Sequence, residues 1–508
     1  MGKNCLIGID VGTSGVKVLA LSTEGQILAT AVESYPLHSP RPGWTQQDPA
    51  DWWAGTVQAL KTVLASLTGT TIAAIGLSGQ MHGMVALDDQ NQVVREAILW
   101  NDQRTESQCQ EITTAAGGLD GLLGMTNNQM LTGYTGGKIL WLKQNEPEHY
   151  ARTRVVINPK DYIRYCLTGE IATEVSDASG FGFFDVQNKV WHTGLIEKVG
   201  LDPAVFPPVV ESSALTGAVT ADAAAATGLA AGIPVCGGGG DAVISTTGLG
   251  LYKPGRVAVT LGTSGVVAMA LPSFMPNPQG SLQLFRGNSP DTFTAMGVTL
   301  AAAGSYHWFR EALGDHEIEK GKQQGRSAFA LLDEAAAATP AGAEGLIFLP
   351  YLTGERCPIN DPAARGGFIG LTSHHKKGHF ARSVLEGVAY SLRQVYDLTV
   401  SADPQLKSES GDVVLAGGGA ASPLWRQIIA DVFGLPVHTV YGSAEGGSFG
   451  AALVAGVAIG IWPDLAATVP LIQQESETLP NPEHRQTYDK LYHTYVRMYD
   501  ALKWSFAE

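Results

Sequence analysis

Apolar, β-prone residues run over Cys5–Asp10, stop at a short Gly/Thr/Ser segment, and resume with apolar–polar alternation over Val16–Leu19. That pattern predicts a strand, a tight turn and a second strand, a β-hairpin. It returns at Val257–Leu261 and Val266–Met269. Both interruptions lie in the same pentapeptide, Gly-Thr-Ser-Gly-Val, at Gly12–Val16 and at Gly262–Val266, half a chain apart. A third strand is expected at Gln26–Glu33, buried strands at Ile72–Leu77 and Met84–Leu87, and later ones at Phe293–Met296 and Asp412–Leu415. Helical periodicity marks Asp48–Ser66, Thr299–Leu313, alanine-rich Gly325–Thr339 and Arg382–Val400. In the last helix Tyr488, Leu491, Tyr492, Tyr495, Met498, Tyr499 and Leu502 share one face, a stripe expected to pack into the core.

The repeated order predicts an α/β protein of two similar domains, 1–249 and 250–508, each opening with a hairpin. A Gly/Thr/Ser turn exposes main-chain N–H groups and two hydroxyls, and glycine lets a ligand approach the backbone closely. Such donors suit phosphate. Gly12, Thr13 and Ser14, with Gly262, Thr263 and Ser264, are therefore candidate phosphate contacts on two paired domains. Lys17, on the outgoing strand, is a further candidate or simply a solvated cation.

Asp10 ends the first strand beside that turn. A carboxylate next to phosphate is repulsive unless a cation intervenes, so Asp10 is a candidate Mg²⁺ ligand; a turn-stabilising role is the alternative. Asp241 follows four glycines at a strand end. It suits a helix N-cap, and equally a carboxylate that takes the proton of a hydroxyl attacking a γ-phosphoryl group. Gln80, Met81 and His82 lie on the loop Ser78–Gly83 between two strands, where flanking glycines and an amide make a polyol-binding edge. Trp100–Arg104 combines an aromatic face with Asp102 and Arg104, fit for a sugar or for a buried salt bridge. Gly417, Gly418 and Gly419 run from a strand into a helix, and such a backbone can lie flat under adenine or ribose.

Rival nucleotide motifs are absent. There is no GxxxxGK[ST], since Gly136-Gly-Lys138 lacks the upstream glycine and the following hydroxyl, and neither a strand-linked GxGxxG nor an HExxH occurs. The 508-residue chain has 33 basic and 48 acidic residues and a net charge of −15, with no basic block, so nucleic acid and anionic membrane are excluded as natural partners. Five scattered cysteines without CxxC spacing, no signal-peptide pattern and no 18-residue apolar run lead to the expectation of a cytoplasmic protein with reduced thiols.

These residues resemble the carbohydrate kinases of the FGGY family along almost the whole chain. The matching segments include Gly8-Ile-Asp-Val-Gly-Thr-Ser-Gly-Val-Lys17, Gly79-Gln-Met-His-Gly83, Pro159-Lys-Asp-Tyr162 and Gly238-Gly-Gly-Asp241. Others are Leu261-Gly-Thr-Ser-Gly265, Pro350-Tyr-Leu-Thr-Gly-Glu-Arg356, Ala416-Gly-Gly-Gly-Ala420 and Gly446-Gly-Ser-Phe-Gly450. The resemblance implies two ribonuclease H-like domains, as in actin and hexokinase, closing over ATP, Mg²⁺ and a sugar. It implies Asp241 as proton acceptor, Asp10 near the metal, and Met81 and His82 against the sugar. Among family members the motifs are nearest those that phosphorylate xylulose, and Met81-His82 stands where glycerol-phosphorylating members carry Arg-Glu. A homodimer is the expected assembly. Ala242 departs from the pattern, because many xylulose-phosphorylating members have Asn after the catalytic Asp. Another ketose, a pentitol or a sugar acid is the alternative substrate, and an actin- or chaperone-like ATPase the alternative of another class.

Overall fold

In the computed structural model residues 3–252, 255–403, 405–406 and 410–506 are described. The first hairpin is β1 (Lys3–Val11) and β2 (Gly15–Ser22); β3 (Ile27–Ser34) continues it antiparallel, while β4 (Thr70–Gly79) and β5 (Pro234–Cys236) extend the other side in parallel. The order is β3-β2-β1-β4-β5, closed by the antiparallel edge Leu215–Ala218. The second hairpin, β6 (Arg256–Leu261) and β7 (Gly265–Leu271), is joined by β8 (Phe293–Thr299), β9 (Asp412–Ala416) and β10 (Val437–Val440) in the order β8-β7-β6-β9-β10. The two sheets match strand for strand in order and direction. The fold is the two-lobed, ribonuclease H-like α/β arrangement expected. Register places the chemistry: Asp10 lies opposite Lys17 on β2 and Ser78 on β4.

Helix α1 (Pro49–Ser66) starts where Asp48 accepts the N–H of Ala50, and buries Trp52, Leu60 and Val63 against the first sheet. Helix α2 (Thr135–Asn145) belongs to a satellite cluster with its own core of Tyr134, Trp141, Phe181 and Phe183. Then follow α3 (Asp241–Gly248), α4 (Ala303–Leu313), the 26-residue α5 (Lys377–Ala402), α6 (Pro423–Phe433), α7 (Gly446–Ala458) and α8 (Arg485–Leu502). Tyr488, Tyr492 and Tyr495 of α8 are buried beside Tyr390, so the aromatic stripe is core.

Helix α7 belongs by sequence to the second half but packs on β1 and β4 of the first sheet and on α3. It is rich in Gly and Ala, and it comes so close that a Cβ on Gly8 would stand 1.8 Å from the Ser448 carbonyl oxygen. Real Cβ atoms do not approach a carbonyl oxygen so closely, so that strand position requires glycine.

Three helices differ from their predicted extents, one of them α5, which starts at Lys377 rather than Arg382 and ends at Ala402 rather than Val400. Residues 299–302 finish β8 and turn, because the carbonyls of Thr263 and Gly262 accept the N–H groups of Ala302 and Ala303 at the start of α4. The alanine-rich helix covers Ala328–Ala337, and a separate helix, Asp315–Gln324, precedes it. That one buries only Gly321, so it carries no apolar stripe to read.

Candidate active site

The tip of the first hairpin is braced from below. Gly12 N–H donates to Gly15 O at 3.0 Å, Gln47 Nε2 to Thr13 O at 2.7 Å, and Gln80 Nε2 to Gln47 Oε1 at 3.0 Å. Trp100 Nε1 donates to Thr13 Oγ1 at 2.9 Å, which in turn donates to Gln80 Oε1 at 3.2 Å. Thr13 is thus engaged within the protein, while Ser14 faces solvent. Lys17 forms an ion pair with Glu445 at 3.0 Å.

Asp10 Oδ1 accepts a 2.6 Å hydrogen bond from Ser78. Burial raises the Asp10 pKa, opposed by Ser78 and Lys17 and reinforced by Glu445. A Cβ on Gly447, in the first turn of α7, would stand 2.7 Å from the Asp10 carboxyl carbon, so that helix begins directly against the acid. Asp241 is the first residue of α3, with Gly240 as its cap, which corrects the N-cap reading. Its carboxylate accepts the N–H of Ala242 at 2.7 Å and that of Met81. The surrounding protein, and then the Asp10 charge, raise its pKa to about 7. A carboxylate so tuned is a proton acceptor matched to neutral pH. Among the described residues no group of three or more His, Cys, Asp or Glu is arranged to hold a metal. Two neighbouring carboxylates do fit a hard cation that takes one or two protein oxygens and completes its shell with water and phosphate.

On the other side of Asp241, Met81 packs against Gly240. His82 adopts a left-handed backbone, φ 68°, with its ring 4.7 Å from that of Tyr134 and 6.3 Å from that of Phe285. Its Nδ1 lies 3.1 Å from Gly180 O, and because a carbonyl only accepts, Nδ1 carries the proton and Nε2 is the acceptor. Burial first, then the Lys138 charge, push its pKa down to about 3, so the ring is neutral. Asp102 does not face this space. It is fully buried, its Oδ2 accepting from Thr45 N at 2.6 Å and from Arg104 Nη2 at 2.7 Å. Of the two sequence readings for Trp100–Arg104, Asp102 and Arg104 take the buried salt bridge, while Trp100 is 45% exposed. Gln80 is likewise buried and engaged with the hairpin, a layer beneath the edge it was expected to form.

Thr263 is exposed at the second tip and borders a cavity of about 840 Å³, with Gly304, His307, Phe329, Asp333 and Gly418 also in its wall. That volume suits a nucleoside. Gly417 holds φ +86° against Leu261, and a Cβ on Gly418 would meet nothing within 4 Å. Asp333 is fixed by Tyr306 and Ser422 at 2.8 and 2.7 Å. A larger concavity of about 910 Å³ between α5 and α8 touches none of the candidate residues. Sequence reading missed Ser78, Glu445, Tyr134, Phe329 and Asp333. Only Ser78 carried a signal, being the strand-end hydroxyl beside Gln80.

Residues 5–248 match the N-terminal domain, and residues 257–459 the C-terminal domain, of the FGGY family of carbohydrate kinases. A xylulose kinase of Escherichia coli (strain K12) is 36% identical over 496 residues, 98% of this chain and 99% of that protein. One from Bacillus subtilis (strain 168) is 35% identical over 501 residues, covering 98% and 97%. The crystal structure of xylulose kinase from Rhodospirillum rubrum superposes with a TM-score of 0.90 at 30% identity, over 99% of this chain and 100% of that one. With paired sheets of one strand order and both family domains matched in sequence, the chain belongs to the FGGY family of carbohydrate kinases.

Proposed function

We propose that the protein transfers the γ-phosphoryl group of ATP to the 5-hydroxyl of D-xylulose, forming D-xylulose 5-phosphate and ADP. The observation that carries this reading is Asp241, a carboxylate with a pKa of about 7 held by the main chain of the Met81-His82 loop and flanked by Asp10. Asp241 accepts the hydroxyl proton as the sugar oxygen bonds to phosphorus and the bond to the β-phosphate oxygen breaks. The main-chain N–H groups of Thr13 and Ser14 and the Ser14 hydroxyl on one tip, where Gly12 closes the turn through Gly15, and Gly262, Thr263 and Ser264 on the other, offer donors to the phosphates. Gly417, Gly418 and Gly419 lie under the adenosine. Asp10 would hold Mg²⁺, which when bound neutralises phosphate charge. Lys17 is kept close to Asp10 by its pairing with Glu445. Met81 shapes the sugar pocket, neutral His82 accepts from a sugar hydroxyl, and Gln80 and Asp102 brace the loops behind them. Division near residue 249 puts α3 at the hinge on which the lobes close to exclude water. We take the working enzyme to be a cytoplasmic homodimer.

One observation favours a second reading within the family. Ala242, beside Asp241, is exposed and offers no hydrogen bond where Asn is common in xylulose kinases, so another ketose, a pentitol or a sugar acid is the rival substrate. ADP formation with D-xylulose, D-ribulose, L-xylulose, xylitol, glycerol and gluconate decides between them. D-xylulose is expected to give the highest kcat/KM by about fivefold or more, the scale of one hydrogen bond. A clear preference for another acceptor overturns the xylulose assignment, and ADP release independent of every acceptor overturns the kinase.

A further inference from the structure

Lys138, the last residue of the incomplete Gly136-Gly-Lys138 motif, has no part in the reaction just described. It lies on α2 and is fully buried. Its Nζ donates to two main-chain carbonyls, His82 O at 2.7 Å and Gly133 O at 2.6 Å. Burying an ammonium is costly, and a carboxylate in direct contact is the usual compensation. Here two peptide dipoles take that place, with Asp102 and Cys109 favouring the charge from farther off and Arg104 opposing it. A lysine retained at such a cost, where methionine would fill a similar volume, has its donors as the reason.

What those donors hold is specific. The His82 residue sits at φ 68°, a region that is strained for a non-glycine residue and persists only when neighbours enforce it. Gly133 directly precedes Tyr134, whose ring lies against the His82 imidazole. Lys138 therefore ties together the two loops on either side of that imidazole.

We propose that Lys138 is a positioning residue for the sugar subsite: it never touches the sugar, and its two hydrogen bonds hold the His82 peptide in the left-handed conformation that presents the imidazole. The inference rests on the reading of His82 as sugar-facing. It predicts an effect on sugar binding rather than on nucleotide binding or on the chemical step. Burial brings the lysine pKa down to about 7, so the charged donor is lost as pH rises and the sugar is held less tightly. His82, already neutral, contributes nothing to that change, whereas Asp241 titrates in the same range whatever stands at position 138.

The test compares wild type with Lys138→Met and Lys138→Gln by calorimetric sugar titration, and by KM for sugar, KM for ATP and kcat. Lys138→Met is expected to weaken the sugar about tenfold or more below neutral pH, the scale of lost charge-assisted hydrogen bonds, with the ATP KM within about twofold. Lys138→Gln, which keeps an N–H donor, is expected to recover part of that loss. Asp241 titrates in the same range in every form, so the reading is a difference: from about pH 6 to about pH 9 the ratio of variant to wild-type sugar affinity is expected to rise toward one as wild type alone loses the Lys138 charge. Unchanged sugar affinity in Lys138→Met, or sugar and ATP parameters that worsen by one common factor, overturns the proposal. If Lys138→Met does not fold, a Lys138→Gln enzyme whose sugar affinity equals that of wild type at every pH overturns it equally. Should the acceptor panel reveal a different sugar, the titrations are run with that sugar, so failure of the xylulose reading and failure of the Lys138 role give separate results.

Discussion

The negative charge of Asp10 raises the pKa of Asp241, second only to burial as the cause of its value of about 7. A base works deprotonated, so kcat/KM for the sugar should rise with pH along an acid limb near neutrality. Removing the neighbouring charge makes the Asp241 anion easier to form. Asp10→Asn is therefore expected to move that limb to lower pH by up to about one unit, even as the loss of the proposed metal ligand lowers the rate. The pH profiles of the two enzymes check this; a limb that stays put separates the two acids.

Asp241→Asn should cut kcat by roughly 10²–10⁴-fold, the loss expected when a general base is removed. The same change should stabilise the fold. A carboxylate whose pKa is higher folded than unfolded destabilises the protein once ionised, so its removal helps above neutral pH and does little in acid. A gain of about 1–2 kcal/mol, shrinking as pH falls, is expected from thermal unfolding at several pH values.

Gly418→Val adds a side chain where nothing lies within 4 Å, inside the cavity assigned to the nucleoside. Stability should be almost unchanged, while the ATP KM rises about tenfold or more and the sugar KM stays constant. A rise in sugar KM instead would put the nucleoside elsewhere.

Ala242→Asn places an amide beside Asp241, the proposed base, at an exposed position. One added hydrogen bond to the sugar is worth about 1 kcal/mol, so D-xylulose KM should fall about fivefold, with smaller changes for the other acceptors. Equal changes across the panel would mean that this position does not read the sugar.

The strands and both hairpins were legible because each is a local pattern: an apolar run, a turn, an apolar run. Asp10, Asp241 and the loop of Met81 and His82 were legible for the same reason, being strand-end residues beside glycines. Asp102 and Gln80 were harder. A polar residue near a binding loop reads alike whether it faces the ligand or stands behind it, and only the partners Thr45, Arg104 and Gln47 tell the two apart. The walls of the cavity proposed for the nucleoside, Phe329 and Asp333, sit on a helix distant in sequence from the hairpin they approach. Lys138 looked like a failed phosphate motif because a buried ammonium held by carbonyls leaves no mark on local sequence.

Gly8→Ala tests how tightly α7 is seated. The new methyl group meets the Ser448 carbonyl at 1.8 Å, and backbone on both sides must shift. A destabilisation of about 2–3 kcal/mol is expected, read as a lower denaturation midpoint with an unchanged slope. Activity should suffer too, since α7 starts against Asp10.

That seating also sets an order of events during synthesis. The first sheet has all its central strands once residue 236 is made, yet one of its faces stays bare until residue 458 has left the ribosome. For more than two hundred residues of elongation the nascent chain carries an open apolar surface, a natural customer for chaperones. A gene cut near its midpoint should thus yield an aggregating first fragment, rescued only when the second is expressed alongside it.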